Sequence, residues 1–434
     1  MQTPYFLFVP NNPVDMKLTI LTQYYPPEVG APQTRLSHLA SVFVGAGHKV
    51  TVLTAMPNYP TGRIHPGYGG FLRREWRDGI RVLRTFVYPS RSASLVPRLL
   101  SYFSFVFSSA LLGIFLLPSS DYLLVESPPL FLGLSALWLS RLKRARLIFN
   151  VSDLWPASAL QLGVISDRGV AHRLGERLES LCYRRSWLVS CQSSGILRDI
   201  KKRFPTQSTF LLSNGADTSR FGLHHKTEQA RRHLGVQDEF VVLYAGLHGL
   251  AQGLSRVIDA ADKLREEKGY RFVFIGDGPE KGKLIHKSRD LGLGNVTFLD
   301  PVPSKEIPPL LASADLILVS LGMNIPGAVP SKLYEAMSSE RAVVLIAEGE
   351  AAEIVRRFEA GLVVSPGDVP SLVSAIQWVR ENPQHAAQLA ARARDASLRH
   401  FDRTAIAEPF LRYLESSLPA EQPEKESIEV GAPL

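Results

Sequence analysis

The fold class is decided by residues 16–54, which read MKLTILTQYYPPEVGAPQTRLSHLASVFVGAGHKVTVLT. Lys17–Leu21 is an apolar run of the length of a buried strand. Four apolar residues then recur at the spacing of one helix face: Leu36, Leu39, Ala40 and Phe43. Gly45 and Gly47 end this helix, and Val50–Thr54 supplies the next strand. Strand, helix and strand in this order predict a βαβ unit of a parallel sheet.

The same alternation of apolar strands and crossover segments fills most of the chain. Further strands of a first set are predicted at Val82–Val87, Tyr122–Val125, Leu147–Val151 and Trp187–Cys191. Strands of a second set are predicted at Val241–Tyr244, Arg271–Ile275, Val296–Phe298, Leu316–Val319, Ala342–Ile346 and Leu362–Val364. A chain of 434 residues exceeds what one hydrophobic core usually serves. We therefore predict an α/β protein of two doubly wound, Rossmann-like parallel sheets that face a ligand-binding cleft.

We place the change of domain near Arg203–Ser208, which gives an N-terminal domain of residues 16–207 and a C-terminal domain of residues 208–416. Residues 1–15 lack the charged region and cleavage site of a secretory signal, and we expect a disordered or over-extended start. Residues 417–434 are polar and contain proline, so we expect a disordered tail. Cys182 and Cys191 match no metal or redox spacing, which favours a reducing, cytosolic compartment.

Charge is distributed unevenly along the chain, whose net charge is +8. Up to Asp217 there are 24 Lys and Arg against 12 Asp and Glu, whereas the remainder has 25 against 29. A basic first half indicates an anionic partner, either nucleic acid or an anionic membrane surface. The ordinary alternative is a solvated basic surface.

An uncharged stretch, Leu99–Leu117, favours the membrane among these partners over nucleic acid. Basic residues flank it on both sides: Arg73, Arg74, Arg77, Arg81, Arg84, Arg91 and Arg98, then Arg141, Lys143, Arg144 and Arg146. Four serines dilute it, so we favour a helix that lies in one leaflet of an anionic membrane. A buried core helix and a true membrane span are the alternatives. This interpretation places the protein peripherally on the cytoplasmic face of the inner membrane.

The segment SLGMNIPGAVPSKLYEAM, residues 320–337, follows a predicted strand and enters a helix. Pro330 suits the start of that helix, and Ser331 can cap it. Lys332 and Glu335 are three residues apart and therefore share one helix face. A lysine beside a helix N-terminus suits a phosphate, and a carboxylate one turn later can accept hydrogen bonds from ribose hydroxyls. The alternative is an ordinary surface ion pair.

Seven motifs in a fixed order give the chain a family resemblance. They are YYPPEVGAP (24–32), SNGAD (213–217), YAGLHGLAQGL (244–254), FIGDGPE (274–280), SADLILVSL (313–321), PSKLYEAM (330–337) and GEAAEIV (349–355). Each motif alone is weak, but the ordered set over residues 16–410 resembles the family 4 glycosyltransferases of the GT-B fold. Within that family it most resembles the bacterial O-antigen, capsule and exopolysaccharide subgroup, including N-acetyl-L-fucosamine transferases.

This resemblance assigns roles to residues of the second half. Glu335 would hold the donor ribose, and Ser331 and Lys332 would contact the nucleotide or its diphosphate. Gly246 and Gly249 would let the backbone approach the diphosphate, since glycine has no Cβ.

Two further loops complete the donor site that the resemblance implies. Val302 and Pro303 would border the base. A loop entering another helix would approach the donor sugar and diphosphate through Gly349, Glu350 and Ala351. Glu350 and Glu353 are candidates for binding sugar hydroxyls, the alternative being solvated carboxylates.

The chain departs from the family pattern at two places. Gly327 stands eight residues before Glu335, where the family often has a second glutamate. Leu247, His248 and Gln252 stand where the family commonly has an arginine and a lysine, although the subgroup tends to carry the glutamine. We therefore expect Lys332, helix N-termini and His248 to neutralise the leaving diphosphate.

Two residues of the first half are candidates for the acceptor side. Gly30 lies in the loop after the first strand, where the family lets donor and acceptor approach the backbone. Asp153 follows the strand Leu147–Val151 and can orient or deprotonate an acceptor hydroxyl, or equally cap a helix. For Trp155 we favour a packing role over stacking on a sugar or lipid.

The resemblance implies a retaining transferase that uses a nucleotide diphosphate sugar, a UDP-linked N-acetylamino sugar in our interpretation. We expect a polyprenyl-diphosphate-linked sugar as acceptor. The family implies front-side attack through an oxocarbenium-like transition state. The sequence has no Asp-x-Asp pair, which favours metal-independent departure of the nucleotide. A UDP-sugar 2-epimerase and a non-catalytic sugar-nucleotide-binding scaffold are the alternatives.

Overall fold

The computed structural model describes residues 15–59, 61–90, 95–161, 169–323, 325 and 327–418. Within these ranges the chain forms fourteen strands and fifteen α-helices, arranged as two α/β domains. The ends predicted to be disordered are residues 1–15 and 417–434, of which 1–14 and 419–434 lie outside the described residues. Ser417 and Leu418 continue from the last helix, with their N–H groups donating to the Leu414 and Glu415 carbonyls.

The N-terminal domain is built on an eight-stranded sheet in the order β3-β4-β2-β1-β5-β6-β7-β8. Its strands are β1 (Lys17–Leu21), β2 (Lys49–Ala55), β3 (Leu72–Arg77), β4 (Ile80–Thr85), β5 (Tyr122–Ser127), β6 (Arg146–Val151), β7 (Leu188–Cys191) and β8 (Thr209–Leu211). All neighbours are parallel except β3 and β4, which form an antiparallel hairpin. The strand order reverses between β1 and β5. Strand β1 pairs in parallel with β2 on one side and with β5 on the other, so that Leu18 lies opposite Val50 and Tyr122.

Helices cover both faces of this sheet, which explains why its central strands are apolar at nearly every position. The helices that follow its strands are α1 (Ala31–Gly45), α2 (Leu95–Leu116), α3 (Leu132–Leu142), α4 (Ala157–Gln161), α5 (Val170–Arg185) and α6 (Ser194–Arg203). One core contains α1 residues such as Phe43, and the opposite core contains residues such as Phe105 of α2 and Leu139 of α3. Burying one side chain of this size stabilises the folded state by about 1.5–3 kcal/mol relative to leaving it exposed to water.

The C-terminal domain has a six-stranded parallel sheet in the order β11-β10-β9-β12-β13-β14. Its strands are β9 (Phe240–Ala245), β10 (Tyr270–Ile275), β11 (Val296–Leu299), β12 (Leu316–Ser320), β13 (Ala342–Ile346) and β14 (Leu362–Val364). Its helices are α7 (Glu228–His233), α8 (Ser255–Lys263), α9 (Lys281–Asp290), α10 (Ile307–Ser313), α11 (Ser331–Ser338), α12 (Glu350–Arg357), α13 (Val369–Glu381) and α14 (Pro383–His400). Strand order reverses between β9 and β12, where doubly wound sheets bind ligands.

The predicted domain boundary after residue 207 is wrong, because the chain is still in the first sheet beyond it. β8 pairs in parallel with β7, with Phe210 opposite Ser190. The end of the second domain is also wrong, since the last helix, α15 (Arg403–Ser416), returns to the first domain. Its Phe410 is fully buried in the core beside α1, and the Tyr122 hydroxyl donates to the Leu414 carbonyl at 2.8 Å.

Helix α2 contains Leu99–Leu116, which is long and apolar enough to cross a membrane by length and composition and is 33% buried in the protein. Its serines face the domain: the Ser109 and Ser135 hydroxyls hydrogen-bond at 2.9 Å, and the Ser104 hydroxyl accepts from the Tyr88 N–H at 2.8 Å. The helix leaves five large apolar side chains exposed: Val96, Leu100, Phe107, Leu111 and Phe115. The helix is therefore apolar on two sides and buried on only one.

Candidate functional site

The carboxyl ends of the strands of both sheets meet at one cleft. The loop after β12 and the start of α12, which follows β13, contact the start of α6, which follows β7. We call the part of the cleft supplied by the C-terminal domain the donor half, and the part supplied by the N-terminal domain the acceptor half. Most of the sequence-predicted site residues lie in these two halves.

The donor half brings Lys332, Glu335 and Gly246 together. The Lys332 ammonium lies 3.3 Å from a carboxylate oxygen of Glu335, with the two side chains 43% and 20% exposed. A Cβ built on Gly246 would lie 3.6 Å from Cε of Lys332 and 3.1 Å from the Tyr244 hydroxyl. The lysine therefore covers the end of β9, where only glycine leaves the backbone accessible.

Helix α11 begins with free N–H groups beside this lysine. Pro330 occupies the N-cap position and Ser331 is the first helical residue, so the prediction that Ser331 caps the helix is wrong. Among the described residues no side chain caps this end. The Leu333 N–H already donates to the Pro330 carbonyl at 3.0 Å. The Ser331 and Lys332 N–H groups and the positive end of the helix dipole are thus available to a phosphate.

The loop after β9 is held against the loop after β12. The Ser320 hydroxyl donates to the Gln252 carbonyl at 2.6 Å, and the Gly322 N–H donates to the Ala251 carbonyl at 2.7 Å. A Cβ built on Gly249 would lie 2.6 Å from the side-chain oxygen of Gln252. The backbone of this loop is therefore fixed at the mouth of the donor half.

His248 does not supply the positive charge predicted for it. Its side chain is fully buried, with its ring edge-on to Phe274 and Phe298. Burial, with a smaller contribution from the nearby Lys281, lowers the pKa of His248 to about 4. The ring is therefore neutral near pH 7 and buried away from the cleft, which leaves Lys332 and helix N-termini to neutralise a diphosphate.

The remaining donor candidates differ in what they expose. Val302 is half-buried against the core and Pro303 is exposed, beyond the end of β11. Gly349 adopts a φ of +67° at the N-cap of α12, and Ala351 is fully buried in the core. Only the backbone of Ala351 can face a ligand.

Glu350 contacts the opposite domain. Its two carboxylate oxygens accept hydrogen bonds from the N–H groups of Ser194 at 2.7 Å and Gly195 at 2.5 Å, at the start of α6. Glu353 is 65% exposed and lies 4.0 Å from Arg198 of the same helix. Neither carboxylate is directed only to solvent, which was the alternative considered for both.

In the acceptor half, Gly30 ends a loop that is shaped by a buried carboxylate. Glu28 accepts from the N–H groups of Tyr25 at 3.1 Å and of Asn58 and Tyr59 at 2.8 Å. A Cβ built on Gly30 would lie 2.4 Å from the side-chain oxygen of Gln33. A larger residue where this loop enters α1 would therefore require the Gln33 side chain to move.

Asp153 combines features of both roles considered for it. Its carboxylate lies beside the Ser158 hydroxyl and the Leu154 N–H near the start of α4, and both favour its charged form. Burial raises the pKa of Asp153 above its ordinary value, which suits a proton acceptor. Trp155 packs on Phe131, with ring centroids 5.5 Å apart, as the packing interpretation predicted.

A buried polar network beneath Asp153 was missed by sequence reasoning. Arg35 of α1 and Glu126 of β5 form an ion pair at 2.6 Å with side chains only 6% and 2% exposed. Asn150 donates to Glu126 at 2.5 Å, and the Ser152 hydroxyl also donates to it. A lone carboxylate at the end of the apolar strand β5, beside β1 at the switch point, was the signal that could have identified it.

The part of the chain that the structure describes has neither a group of metal ligands nor a reactive thiol. Within it, no three His, Cys, Asp or Glu side chains are grouped so that they could hold a metal ion. Cys182 and Cys191 are buried and unpaired, and burial raises the pKa of each thiol to about 12. Both thiols therefore pack in the core.

The two facing sheets and the lysine at an uncapped helix start define a GT-B protein, and solved structures share this fold. Sucrose-phosphate synthase from Thermosynechococcus elongatus superposes with a TM-score of 0.73 at 16% identity, covering 92% of this chain and 98% of that one. HepE of Anabaena, in complex with UDP and glucose, superposes with a TM-score of 0.68 at 20% identity, covering 92% and 100%. The predicted GT-B fold is confirmed.

Sequence comparison gives the family. The family described as glycosyl transferase 4-like domain matches residues 30–215, and the family described as glycosyl transferases group 1 matches residues 225–396. WcaI of Escherichia coli (strain K12), a glycosyl transferase named for colanic acid biosynthesis, is 26% identical over 414 residues, which cover 91% of this chain and 99% of WcaI. The chain belongs to the group 1 glycosyltransferases of family 4 and is a glycosyltransferase.

Proposed function

We propose that this enzyme transfers a UDP-linked sugar, an N-acetylamino sugar of the N-acetyl-L-fucosamine type, to a lipid-linked glycan acceptor during synthesis of a bacterial surface polysaccharide. The observation that carries this proposal is Lys332 at the uncapped start of α11, beside Gly246 at the end of β9. A compact positive charge and free N–H groups at one point suit the diphosphate of a nucleotide sugar.

Two relatives support the donor and the pathway in this proposal. HepE, which shares the fold, was solved with UDP and glucose. WcaI, which aligns over nearly its whole length, is named for colanic acid biosynthesis. A UDP-linked donor and a polysaccharide product are consistent with both names.

In the proposed reaction the protein acts mainly by positioning and by electrostatic stabilisation. Glu335 holds the ribose hydroxyls, and Lys332 with the first-turn N–H groups of α11 stabilises negative charge on the departing diphosphate. Asp153 orients the acceptor hydroxyl and takes its proton as the oxocarbenium-like sugar is attacked from the leaving-group side, which retains the anomeric configuration. We propose that these groups act without a metal ion.

The acceptor in this proposal is a polyprenyl-diphosphate-linked sugar, because the acceptor half adjoins a broad apolar surface. Helix α2 packs beside α3, and α3 beside α5, on one face of the first sheet. We call their outward side the apolar face; its exposed residues are Phe107, Leu111, Phe115, Leu134, Trp138, Leu142, Val170 and Leu174. A soluble monomer rarely exposes so many large apolar side chains on adjacent helices.

Basic residues at the rim of the apolar face favour an anionic lipid surface as its partner. Arg141 and Arg144 are exposed at the end of α3, and Arg177 is exposed on α5. Apolar side chains inserted at the interface, with arginines at the level of lipid phosphates, are the features of a monotopic membrane protein. We propose that the enzyme lies peripherally on the cytoplasmic face of the inner membrane, with α2 parallel to it.

The proposal is tested with the purified full-length chain, a panel of UDP- and GDP-linked sugars and a polyprenyl-diphosphate-linked sugar. We expect one UDP-sugar to raise the acceptor mass by one sugar unit, UDP release to depend on acceptor, and EDTA to have no effect. The anomeric configuration of the product, read by NMR, tests retention. An epimerised UDP-sugar formed without acceptor would support the epimerase, and donor binding without any turnover would support the scaffold.

A further inference from the structure

Three segments from both domains meet at the end of the cleft where Glu350 lies. They are the start of α6 (Ser193–Ile196) in the N-terminal domain, and Gly327 and Glu350 in the C-terminal domain. We call this contact the clasp. We infer that Glu350 is a positioning residue, which caps a helix of the opposite domain and so holds the two halves of the cleft in the arrangement that sugar transfer requires.

The clasp supplies acceptors to the first N–H groups of α6. The Ser193 hydroxyl accepts from the Ile196 N–H at 3.2 Å, as a helix cap within the same domain does. The two carboxylate oxygens of Glu350 accept from the N–H groups of Ser194 and Gly195, across the cleft. Charge-assisted bonds of this kind are about twice as strong as neutral ones, and the positive end of the α6 dipole adds to them.

Two glycines allow the domains to approach this closely. A Cβ on Gly195 would lie 2.8 Å from a Glu350 oxygen and 2.9 Å from the Cα of Gly327. Gly327 adopts a φ of +72°, and a Cβ there would lie 2.7 Å from Cγ1 and 2.9 Å from the N atom of Ile196. Neither position can accept a side chain while the clasp is closed.

This geometry explains why Gly327 replaces the glutamate that the family pattern often has eight residues before Glu335. A glutamate there would need a left-handed backbone and would collide with α6. The position that often carries a carboxylate in the family is therefore occupied here by a glycine that contacts the opposite domain. Glu350, whose two oxygens are both bonded to α6, holds that contact closed.

The inference rests on the proposed transfer reaction, because it concerns how the two halves of the cleft are aligned. Lys332 and α11 lie in one domain and Asp153 in the other, so the angle between domains sets the distance between donor and acceptor. Misplacement of reacting groups by about 1 Å can cost roughly 10²-fold in rate. Glu350 then affects turnover without touching the reacting atoms.

Glu350→Ala and Gly195→Ala test the clasp from its two sides. We expect each to lower kcat about 10- to 100-fold while changing the Kd of UDP, measured by calorimetry, less than threefold. Glu350→Gln, which keeps one acceptor oxygen, should lie between wild type and Glu350→Ala. Gly195→Ala replaces a helical glycine by a better helix former, so α6 should not unfold while the added methyl forces the clasp open.

Two matched controls separate the clasp from general effects. Glu348→Ala removes an exposed carboxylate two residues before Glu350. Gly282→Ala adds a methyl to a helical glycine of α9 that has no atom within 4 Å of the built Cβ. Both variants should retain wild-type kcat.

Hydrogen exchange of the peptide from Ser193 to Phe204, followed by mass spectrometry with UDP bound, measures whether the clasp is closed. This measurement does not depend on catalytic activity. Glu350→Ala should speed exchange of the Ser194 and Gly195 amides, and Glu348→Ala should not. A raised donor KM in Glu350→Ala with unchanged exchange would overturn the inference and make Glu350 a ligand of the sugar. Wild-type kcat in Gly195→Ala would also overturn it. Should wild type transfer no sugar, the proposed function fails, and the exchange rates still test the clasp.

Discussion

The donor and acceptor halves of the cleft are built by different means. The donor half presents an uncapped helix start, a half-exposed Lys332 and glycines that leave the backbone accessible. The acceptor half rests on a buried network in which Arg35 and Glu126 are paired almost out of contact with water. The donor half binds its ligand with exposed groups. In the acceptor half, a buried network supports the exposed groups and fixes their orientation.

This difference decides what each half tolerates. A surface charge can be removed with little cost to folding, because water solvates what remains. A buried ion pair cannot lose one partner cheaply, since the other is left as an uncompensated charge. Mutations of the donor half should therefore affect catalysis, and mutations of the acceptor network should affect stability first.

The largest expected effect is on stability, in the acceptor half. Glu126→Leu leaves the Arg35 guanidinium buried without its partner, and we expect a loss of about 3–5 kcal/mol of unfolding free energy in urea titrations. The double variant Arg35→Met/Glu126→Leu should recover most of this loss. Asp395→Ala, which breaks an exposed pair with Arg399, is the control and should change stability little. Equal losses of unfolding free energy in the single and double variants would contradict the claim that the unpaired Arg35 charge causes the destabilisation.

The next largest effect is catalytic, in the donor half. Lys332→Ala should lower kcat/KM about 10²- to 10³-fold, because one charge that stabilises the leaving diphosphate is lost, while the urea midpoint stays near wild type. Lys283→Ala is a matched control, since Lys283 forms an exposed pair with Glu280 at the same three-residue spacing. Retained activity in Lys332→Ala would mean that Lys332 and Glu335 are only a surface ion pair.

The sequence predicted the donor half far better than the acceptor half, for physical reasons. Strands and helices follow from apolar periodicity, and the start of α11 follows from a proline, a serine and a lysine that are adjacent in the chain. Arg35 and Glu126 are 91 residues apart, and Glu350 is 156 residues from Ser194, so only the tertiary fold brings them together. Local patterns carry no information about such pairings.

Three errors in the predicted fold have different origins. Strand β8 has only three residues, too few for a periodic signal, and joins the first sheet because β7 offers it an edge. Helix α15 has an ordinary amphipathic pattern, which does not say which domain its apolar face will cover. The β3–β4 hairpin was missed although Asp78 and Gly79, both with positive φ, are a recognised hairpin turn signal.

A smaller effect is expected on membrane binding, outside both halves. Phe107→Ser with Phe115→Ser removes two rings that are 70% and 78% exposed on the apolar face, so folding should be preserved. We expect about 10- to 100-fold weaker binding to vesicles containing anionic lipid in co-sedimentation assays, given the apolar area withdrawn from the bilayer. Leu398→Ser, on an exposed site of α14 in the other domain, is the control. Unchanged vesicle binding in the double variant would contradict the proposal that the apolar face binds a membrane.

The smallest effect concerns His248, which belongs to the C-terminal domain but is buried like the acceptor network. Its folded-state pKa is lowered to about 4, while the unfolded chain keeps the ordinary value near 6.5. As pH falls below 6.5 the unfolded state binds a proton that the folded state does not, so stability declines, by about 1 kcal/mol between pH 7 and pH 5.5. His248→Phe should remove this decline in urea titrations at the two pH values, because phenylalanine cannot titrate and suits the surrounding Phe274 and Phe298.

The variant should keep kcat within about threefold at pH 7.5, since a neutral buried ring places no charge on the diphosphate. A loss as large as that of Lys332→Ala, with folding intact, would instead return His248 to the donor half as a ligand.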